Sequence, residues 1–164
     1  MHGRALGIGR AVVPMLEFGG CARLLDLAGG PGTYAVLMAQ ANPGLACVTV
    51  DLPAVSAVAA ELVGAAGMAE RVTCRAGDYH TDTYEAEAFD AVTVFGALHQ
   101  ESPEMIVSIL KRAAAALRPG GVIHVLDMMT DATHTAPPFS ALFAVNMALT
   151  TYDGWVFSDA ELHG

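Results

Sequence analysis

Short, almost uninterrupted apolar runs alternate along this chain with longer stretches in which apolar residues recur every three or four positions. The runs at 22–28 (ARLLDLA), 45–51 (LACVTVD), 71–78 (RVTCRAGD), 89–98 (FDAVTVFGAL) and 122–128 (VIHVLDM) read as five buried strands. Between them lie helical patterns. Residues 3–18 carry Leu6, Val12, Val13, Leu16 and Phe18 in a loose version of that spacing, weakened by glycines and Pro14. Residues 33–41 form a second helix, stopped by Asn42-Pro43-Gly44. Over 53–67, Val55, Val58, Ala59, Leu62, Val63 and Ala66 share one face. Ser102-Pro103-Glu104 is a helix start, with a capping hydroxyl, a proline in the first turn and an acid near the positive helix end. Ile106, Ile109, Leu110, Ala113 and Leu117 continue that helix, and the 118–121 turn (RPGG) ends it. A last helix is expected over 137–152, its stripe of Phe139, Leu142, Phe143, Met147 and Leu149 assigned to the core by default. Ser158 and Glu161 have the spacing of a capping box.

Strands that alternate with helices and are apolar on both faces imply a parallel sheet covered on both sides, an α/β doubly wound architecture. The chain has 164 residues, 54% hydrophobic and 15% charged, which suits one compact domain with a substantial core. A formal net charge of −9, with eight Lys and Arg scattered along the chain, argues against a nucleic acid or an anionic membrane surface as partner. Cys21, Cys47 and Cys74 stand far apart without a CxxC motif and read as core thiols, with no metal site implied. No continuous apolar stretch is long enough to span a bilayer, and no signal peptide is recognisable, so a cytoplasmic location is expected.

The chemistry concentrates where the first strand turns into the second helix. Gly29, Gly30 and Gly32 give up side chains at that point. A bare backbone there presents N–H groups at a helix N-terminus and lets a ligand approach closely. In open parallel sheets such a turn lies at the carboxyl ends of the strands, where ligands bind. Gly30-x-Gly32-x-x-Ala35 fits a relaxed dinucleotide fingerprint, and Asp51 follows at the distance where an acid would hold a ribose. That much permits NAD. Asp26, just ahead of the glycines, would repel a pyrophosphate and attract an ammonium or sulfonium. Asp78, at the end of the third strand, is placed for the amine of an adenine. Three strand-end carboxylates suit a cationic nucleoside better than an anionic dinucleotide.

The string formed by 24–43, 48–55, 71–79, 89–100 and 109–127 resembles the class I S-adenosylmethionine-dependent methyltransferases. It is most similar to the catalytic domain of the small-molecule O-methyltransferases that act on caffeic acid, acetylserotonin or hydroxyneurosporene. The resemblance implies a Rossmann-like, mostly parallel sheet of strand order 3-2-1-4-5, a helical segment over 1–20, and a cofactor-binding catalytic domain over 21–164 whose last two family strands are missing. The family's glycine motif, usually D-x-G-G-G-x-G, reads here Asp26-Leu27-Ala28-Gly29-Gly30-Pro31-Gly32. Alanine at the first glycine costs little unless that residue needs a positive φ. By resemblance Asp51 holds the ribose hydroxyls, Leu52 packs near the adenine, Asp78 meets its amine and Tyr79 lies beside the ring.

Methyl transfer to oxygen needs an aligned acceptor and, for a phenol, a base. Of the six histidines, His99 follows a strand end facing the crevice, and it matches the histidine of the family's L-H-D-W stretch, the general base there. Gln100 and Glu101 replace the Asp-Trp, which leaves both a basic and a structural role open for His99. His80, after the adenine-side acid, is a further candidate for the pocket wall. By resemblance the helix over 137–152 lines the acceptor pocket, with Asn146 and Met147 as its substrate-binding residues and Met128 and Met129 adding an adaptable apolar wall. Full chains of the family carry a dimerising helical region before this domain, so the resemblance implies a homodimeric parent, and the capping box at 158–161 reads as a chain cut short. The expected partner is a small hydroxylated aromatic acceptor. An NAD-dependent oxidoreductase and a non-catalytic cofactor-binding module are the alternatives.

Overall fold

The computed structural model describes residues 2–163. The elements are α1 (His2–Val12), a 3-10 turn (Val13–Met15), β1 (Arg23–Leu27), α2 (Thr33–Ala41), β2 (Ala46–Asp51), α3 (Pro53–Ala65) and β3 (Val72–Ala76). They continue with β4 (Phe89–Phe95), a 3-10 turn (Leu98–Gln100), α4 (Pro103–Ala116), β5 (Leu117–Leu126), α5 (Pro138–Thr150) and α6 (Asp159–His163). The five strands form one sheet of order β3-β2-β1-β4-β5, and each neighbouring pair is parallel. The expected fold class and strand order are therefore observed.

Because side chains alternate across a strand, the sheet divides the core in two. Leu25, Leu27, Val92 and Val94 pack with Ile106, Ile109 and Ala113 of α4 and with Phe157. Leu24 and Ala91 pack on the other side with Ala35, Met38 and Ala39 of α2 and Val63 of α3. β1 and β4 are central, and Leu24, Leu25, Ala91 and Val92 are wholly shut off from solvent, as strands buried on both faces require.

Several boundaries differ from the sequence reading. β3 ends at Ala76, and Asp78 lies in the turn beyond it. β4 ends at Phe95, because Gly96 turns the chain with φ +68° and Leu98–Gln100 winds into a 3-10 turn. The 118–121 segment does not separate α4 from β5. The strand already begins at Leu117, pairs with Phe89, and shifts register before Ala91 pairs Val122, with Gly120 at φ +84° in the irregularity. In α3 the buried face is Ser56, Ala59 and Val63, while Val58 is exposed. Small residues prevail there because α3 crosses the glycine turn, and a Cβ at Gly32 would already press on Val63 and Ala59.

Two helix starts follow their sequence signals. Ser102 Oγ accepts the Met105 N–H at 3.2 Å. At α6, Ser158 N donates to Glu161 at 2.8 Å and Glu161 N to Ser158 Oγ at 3.3 Å, a reciprocal capping box. The stripe of α5 departs from expectation. Phe139, Leu142 and Leu149 are exposed, and Ser140 and Met147 are the buried positions. Among the described residues, no helix is long and apolar enough to cross a membrane.

Candidate active site

A cavity of about 990 Å³ opens at the carboxyl ends of the strands, between the turns that follow β1, β2, β3, β4 and β5. Its floor is the glycine turn. Ala28, Gly29 and Gly30 border it, and Thr33 and Tyr34 continue the wall at the start of α2. Gly29 has no room for a side chain, since a Cβ would overlap Thr49 Oγ1 and Asp26 Oδ2 beneath it. Gly30 and Gly32 have φ of +56° and +73°. Ala28 shares this left-handed geometry at φ +53°, so the alanine that replaces the family's first glycine occupies a conformation L side chains disfavour.

Asp51, at the end of β2, stabilises the turn from outside. Its Oδ2 accepts the Gly30 N–H at 2.8 Å and its Oδ1 the Leu52 N–H at 2.7 Å. Leu52, Asp78 and Tyr79 also border the cavity. The Asp78 carboxyl lies below the ordinary carboxylate range, chiefly because it accepts the His80 backbone N–H and ring hydrogen.

Asp26 does not reach the cavity. It is wholly buried below Gly29, where Thr93 Oγ1 donates to it at 2.7 Å and Thr49 Oγ1 at 3.3 Å. Burial pushes its pKa up to about 6, and the two hydroxyls only partly counter that. The alternation of β1 turns Asp26 inward, so the strand-end carboxylates that meet the cavity are those of Asp51, Asp78 and Asp127, not Asp26.

Asp127 escaped the sequence reading. It follows β5, as Asp51 closes β2, and its place beside β4 brings it to His99. Asp127 Oδ1 lies 2.6 Å from His99 Nδ1, Oδ2 accepts the His99 backbone N–H at 3.1 Å, and its side chain is almost fully buried. The Met128 N–H donates to the same Oδ1 at 2.7 Å. A carboxylate at Nδ1 fixes the hydrogen of neutral imidazole there and leaves Nε2 as the proton acceptor. Phe143 of α5 packs edge-on against the His99 ring, with centroids 5.1 Å apart.

Substrate-side residues are placed differently from the expectation. Asn146 is exposed and Met147 is buried in the α5 contact, and neither borders the cavity. Phe143 and Thr151 present the α5 region to it instead, with Met128. The period of α5 made 143 and 147 equivalent, and the two lie one turn apart along the axis. Met129 packs into the core beside the sheet. Gly32 supports α2 as its N-cap, outside the cavity wall. From α1, Arg4, Ala5 and Ile8 close the side above the glycine turn.

These residues fit S-adenosylmethionine. The turn leaves no side chain at Gly29 and Gly30, carboxylates stand at the ends of β2 and after β3, apolar Leu52 and Ala97 line the wall, and the volume suits a nucleoside together with a second small molecule.

A family model described as an O-methyltransferase domain matches residues 4–164. The chain is 30% identical over 152 residues to 3-hydroxy-5-methyl-1-naphthoate 3-O-methyltransferase of Streptomyces sahachiroi, covering 93% of this chain and 44% of that protein. It is 29% identical over 143 residues to L-tyrosine C(3)-methyltransferase of Streptomyces lavendulae, covering 87% and 39%. Among solved structures, an O-methyltransferase family 2 protein of Planctomyces limnophilus in complex with apigenin superposes with TM-score 0.89 at 26% identity, over 99% of this chain and 51% of that one. PigF, solved with SAH, superposes with TM-score 0.87 at 26% identity, over 96% and 47%. The chain thus spans less than half the length of these curated relatives. The oxidoreductase alternative finds no support among them. Fold, glycine turn and sequence match agree, and the chain belongs to the O-methyltransferase-domain family of S-adenosylmethionine-dependent methyltransferases.

Proposed function

We propose that this chain is the cofactor-binding and catalytic part of a methyltransferase that modifies a hydroxyl of a small aromatic metabolite. The observation that carries this reading is the His99–Asp127 pair opening on the same cavity as the glycine turn, Asp51 and Asp78. Residues 21–164 form the catalytic unit and the segment 1–20 its cover.

S-adenosylmethionine supplies, when bound, a methyl group already attached to a good leaving group. Asp51 would hold the ribose hydroxyls and Asp78 the adenine amine, with Leu52 and Tyr79 beside the ring and the Gly29–Gly30 backbone below. Asp26 acts through its field, its buried negative charge favouring a cation over the turn. His99 Nε2 accepts the proton of the acceptor hydroxyl, and Asp127 stabilises the resulting imidazolium while holding the ring. Phe143 and Met128 offer the acceptor an apolar wall. A relative named for naphthoate O-methylation and a neighbour solved with apigenin support an aromatic acceptor. The three free cysteines support a reducing, cytoplasmic setting, and the exposed apolar row of α5 is consistent with a homodimeric parent.

Calorimetry with S-adenosylhomocysteine and NAD, followed by mass spectrometry with labelled S-adenosylmethionine and a hydroxyaromatic library, tests this. Binding of the first ligand alone is expected. In the full-length protein, His99→Gln lowers kcat by about 10²–10⁴-fold with S-adenosylhomocysteine affinity unchanged. Unchanged kcat removes the base assignment, and binding without transfer to any acceptor leaves a binding module.

A further inference from the structure

Glu101 stands where the resembling family has tryptophan, and neither it nor His80 has a part in the chemistry above. Glu101 is buried, 8% exposed, and borders the cavity two positions after His99. One of its oxygens accepts the Tyr79 hydroxyl at 2.6 Å, and the other lies 2.9 Å from His80 Nε2. His80 Nδ1 is 2.8 Å from Asp78 Oδ1, which also accepts the His80 backbone N–H at 2.9 Å. The Tyr79 and His80 rings stack at 4.4 Å between centroids. With a carboxylate at each ring nitrogen, both nitrogens donate only when the imidazole is protonated. Among the described residues no hydrogen bond engages Asp78 Oδ2.

We propose that Glu101 and a protonated His80 are positioning residues of the cofactor site: they tie the Asp78–His80 turn to the segment bearing His99 and hold Asp78 by one oxygen, leaving the other for the adenine amine. The proposal rests on the S-adenosylmethionine reading above. A tryptophan at 101 would offer apolar surface but no acceptor for either side chain, so the anchoring of this turn is a property of the carboxylate.

The groups facing His80 are Asp78 and Tyr79 on its own turn, Glu101 after β4, and Arg112 of α4. Arg112 Nη2 donates to the Tyr79 carbonyl at 2.7 Å. Asp51 bears on Tyr79 from the end of β2. Burial works against the His80 charge, but the hydrogen bonds and charges of Glu101 and Asp78 prevail and hold its pKa above the ordinary value. Burial and Glu101 push the Tyr79 phenol up, so it stays a donor. The anchored state is therefore complete below about pH 6.5, the ordinary histidine value, and is lost as pH rises through the raised pKa of His80.

The test uses S-adenosylhomocysteine and 5′-methylthioadenosine, which lacks the amino-acid end and its titrating amine, as calorimetric probes between about pH 6.5 and 9. For the wild-type chain, the Kd of both is expected to rise by about five- to tenfold toward high pH, the net worth of one ordinary hydrogen bond. In Glu101→Gln the rise moves to lower pH, because one of the two charges that favour the imidazolium is gone. In His80→Gln, affinity is low and flat, and the ratio of wild type to variant cancels titration of the ligand and of other groups. Wild-type binding that is flat over this range overturns the proposal without any variant. So does a His80→Gln profile that keeps the wild-type slope. Absence of wild-type binding to either probe at every pH overturns the cofactor reading itself, and this inference with it.

Discussion

Beneath the glycine turn, the Asp26 carboxylate is held by two threonine hydroxyls in a wholly buried place. Its folded pKa, near 6, exceeds the unfolded value near 3.9, so the folded state binds its proton more tightly. Ionisation therefore lowers stability as pH rises from about 4 to 6, and the loss is complete above that. Asp26→Asn is expected to be more stable than wild type at pH 7.5, by up to about 3 kcal/mol, and no more stable near pH 4. Urea unfolding at both values measures this, and an equal gain at the two excludes a charge effect. The neighbouring Ala28 carries a second local cost. Its left-handed φ disfavours a Cβ by about 1–2 kcal/mol, while glycine adds about 0.5–1 kcal/mol of unfolded-state entropy. Ala28→Gly should then raise stability by up to about 1.5 kcal/mol, and a fall in the urea midpoint contradicts the strain. Residue chemistry was partly legible in the sequence. Gly29, Gly30, Asp51, Asp78 and His99 announced themselves by standing at strand ends, and all five border the cavity. Asp127 obeys the same rule, but it sits inside an apolar run that ends in Met128, which hides it. Asp26 was read as open to ligand, because the rule gives the end of a strand but not the face on which a side chain lies.

Among the elements, α2 has its terminal carbonyls met by a residue outside it. Arg71, just ahead of β3, directs Nη1 at the carbonyl of Ala39, at 2.5 Å in the last turn where a helix leaves acceptors unpaired, and at that of Asn42 at 3.1 Å. Arg71→Ala is expected to lose about 1–3 kcal/mol, as a charged hydrogen bond lost at a partly buried site, with Arg71→Lys recovering part. A denaturant midpoint unchanged in the alanine variant dismisses the clamp. No local pattern revealed it, since the partners stand far apart in sequence. Element type was legible where periodicity was strong, as in α4, whose Ile106, Ile109 and Ala113 are all buried. Ends were less so. Gly96 stops β4 by its backbone angle, and the Pro119–Gly120 turn lies inside β5, because a bulge and a turn use the same residues. For α5 the spacing of Phe139, Leu142 and Leu149 defined a face but carried no information on whether anything covers it.

At the scale of the whole molecule, the order β3-β2-β1-β4-β5 makes the chain wind away from β1 in both directions. The turns after β1 and β4 consequently diverge and leave a crevice between them. That geometry was readable from five apolar runs and the helices between them, and it explains why residues far apart in sequence meet. The contribution of α1 was not readable, since a loose helical pattern does not show where the helix docks. α1 runs across α2, and His2 Nδ1 lies 2.8 Å from Thr33 Oγ1 at the start of that helix.

That crossing depends on one missing methyl group. Gly9 is buried against Leu37 and Tyr34, and a Cβ there would collide with the tip of the Leu37 side chain. Substituting alanine makes either the Leu37 tip swing aside or α1 ride higher over the mouth of the crevice, while every side chain that touches a ligand keeps its identity. Gly9→Ala should therefore quicken the escape of S-adenosylhomocysteine more than it slows its entry, and stopped-flow displacement reads the two rates apart. An unaltered escape rate would mean that the Leu37 tip yields and the first helix keeps its seat over the vestibule.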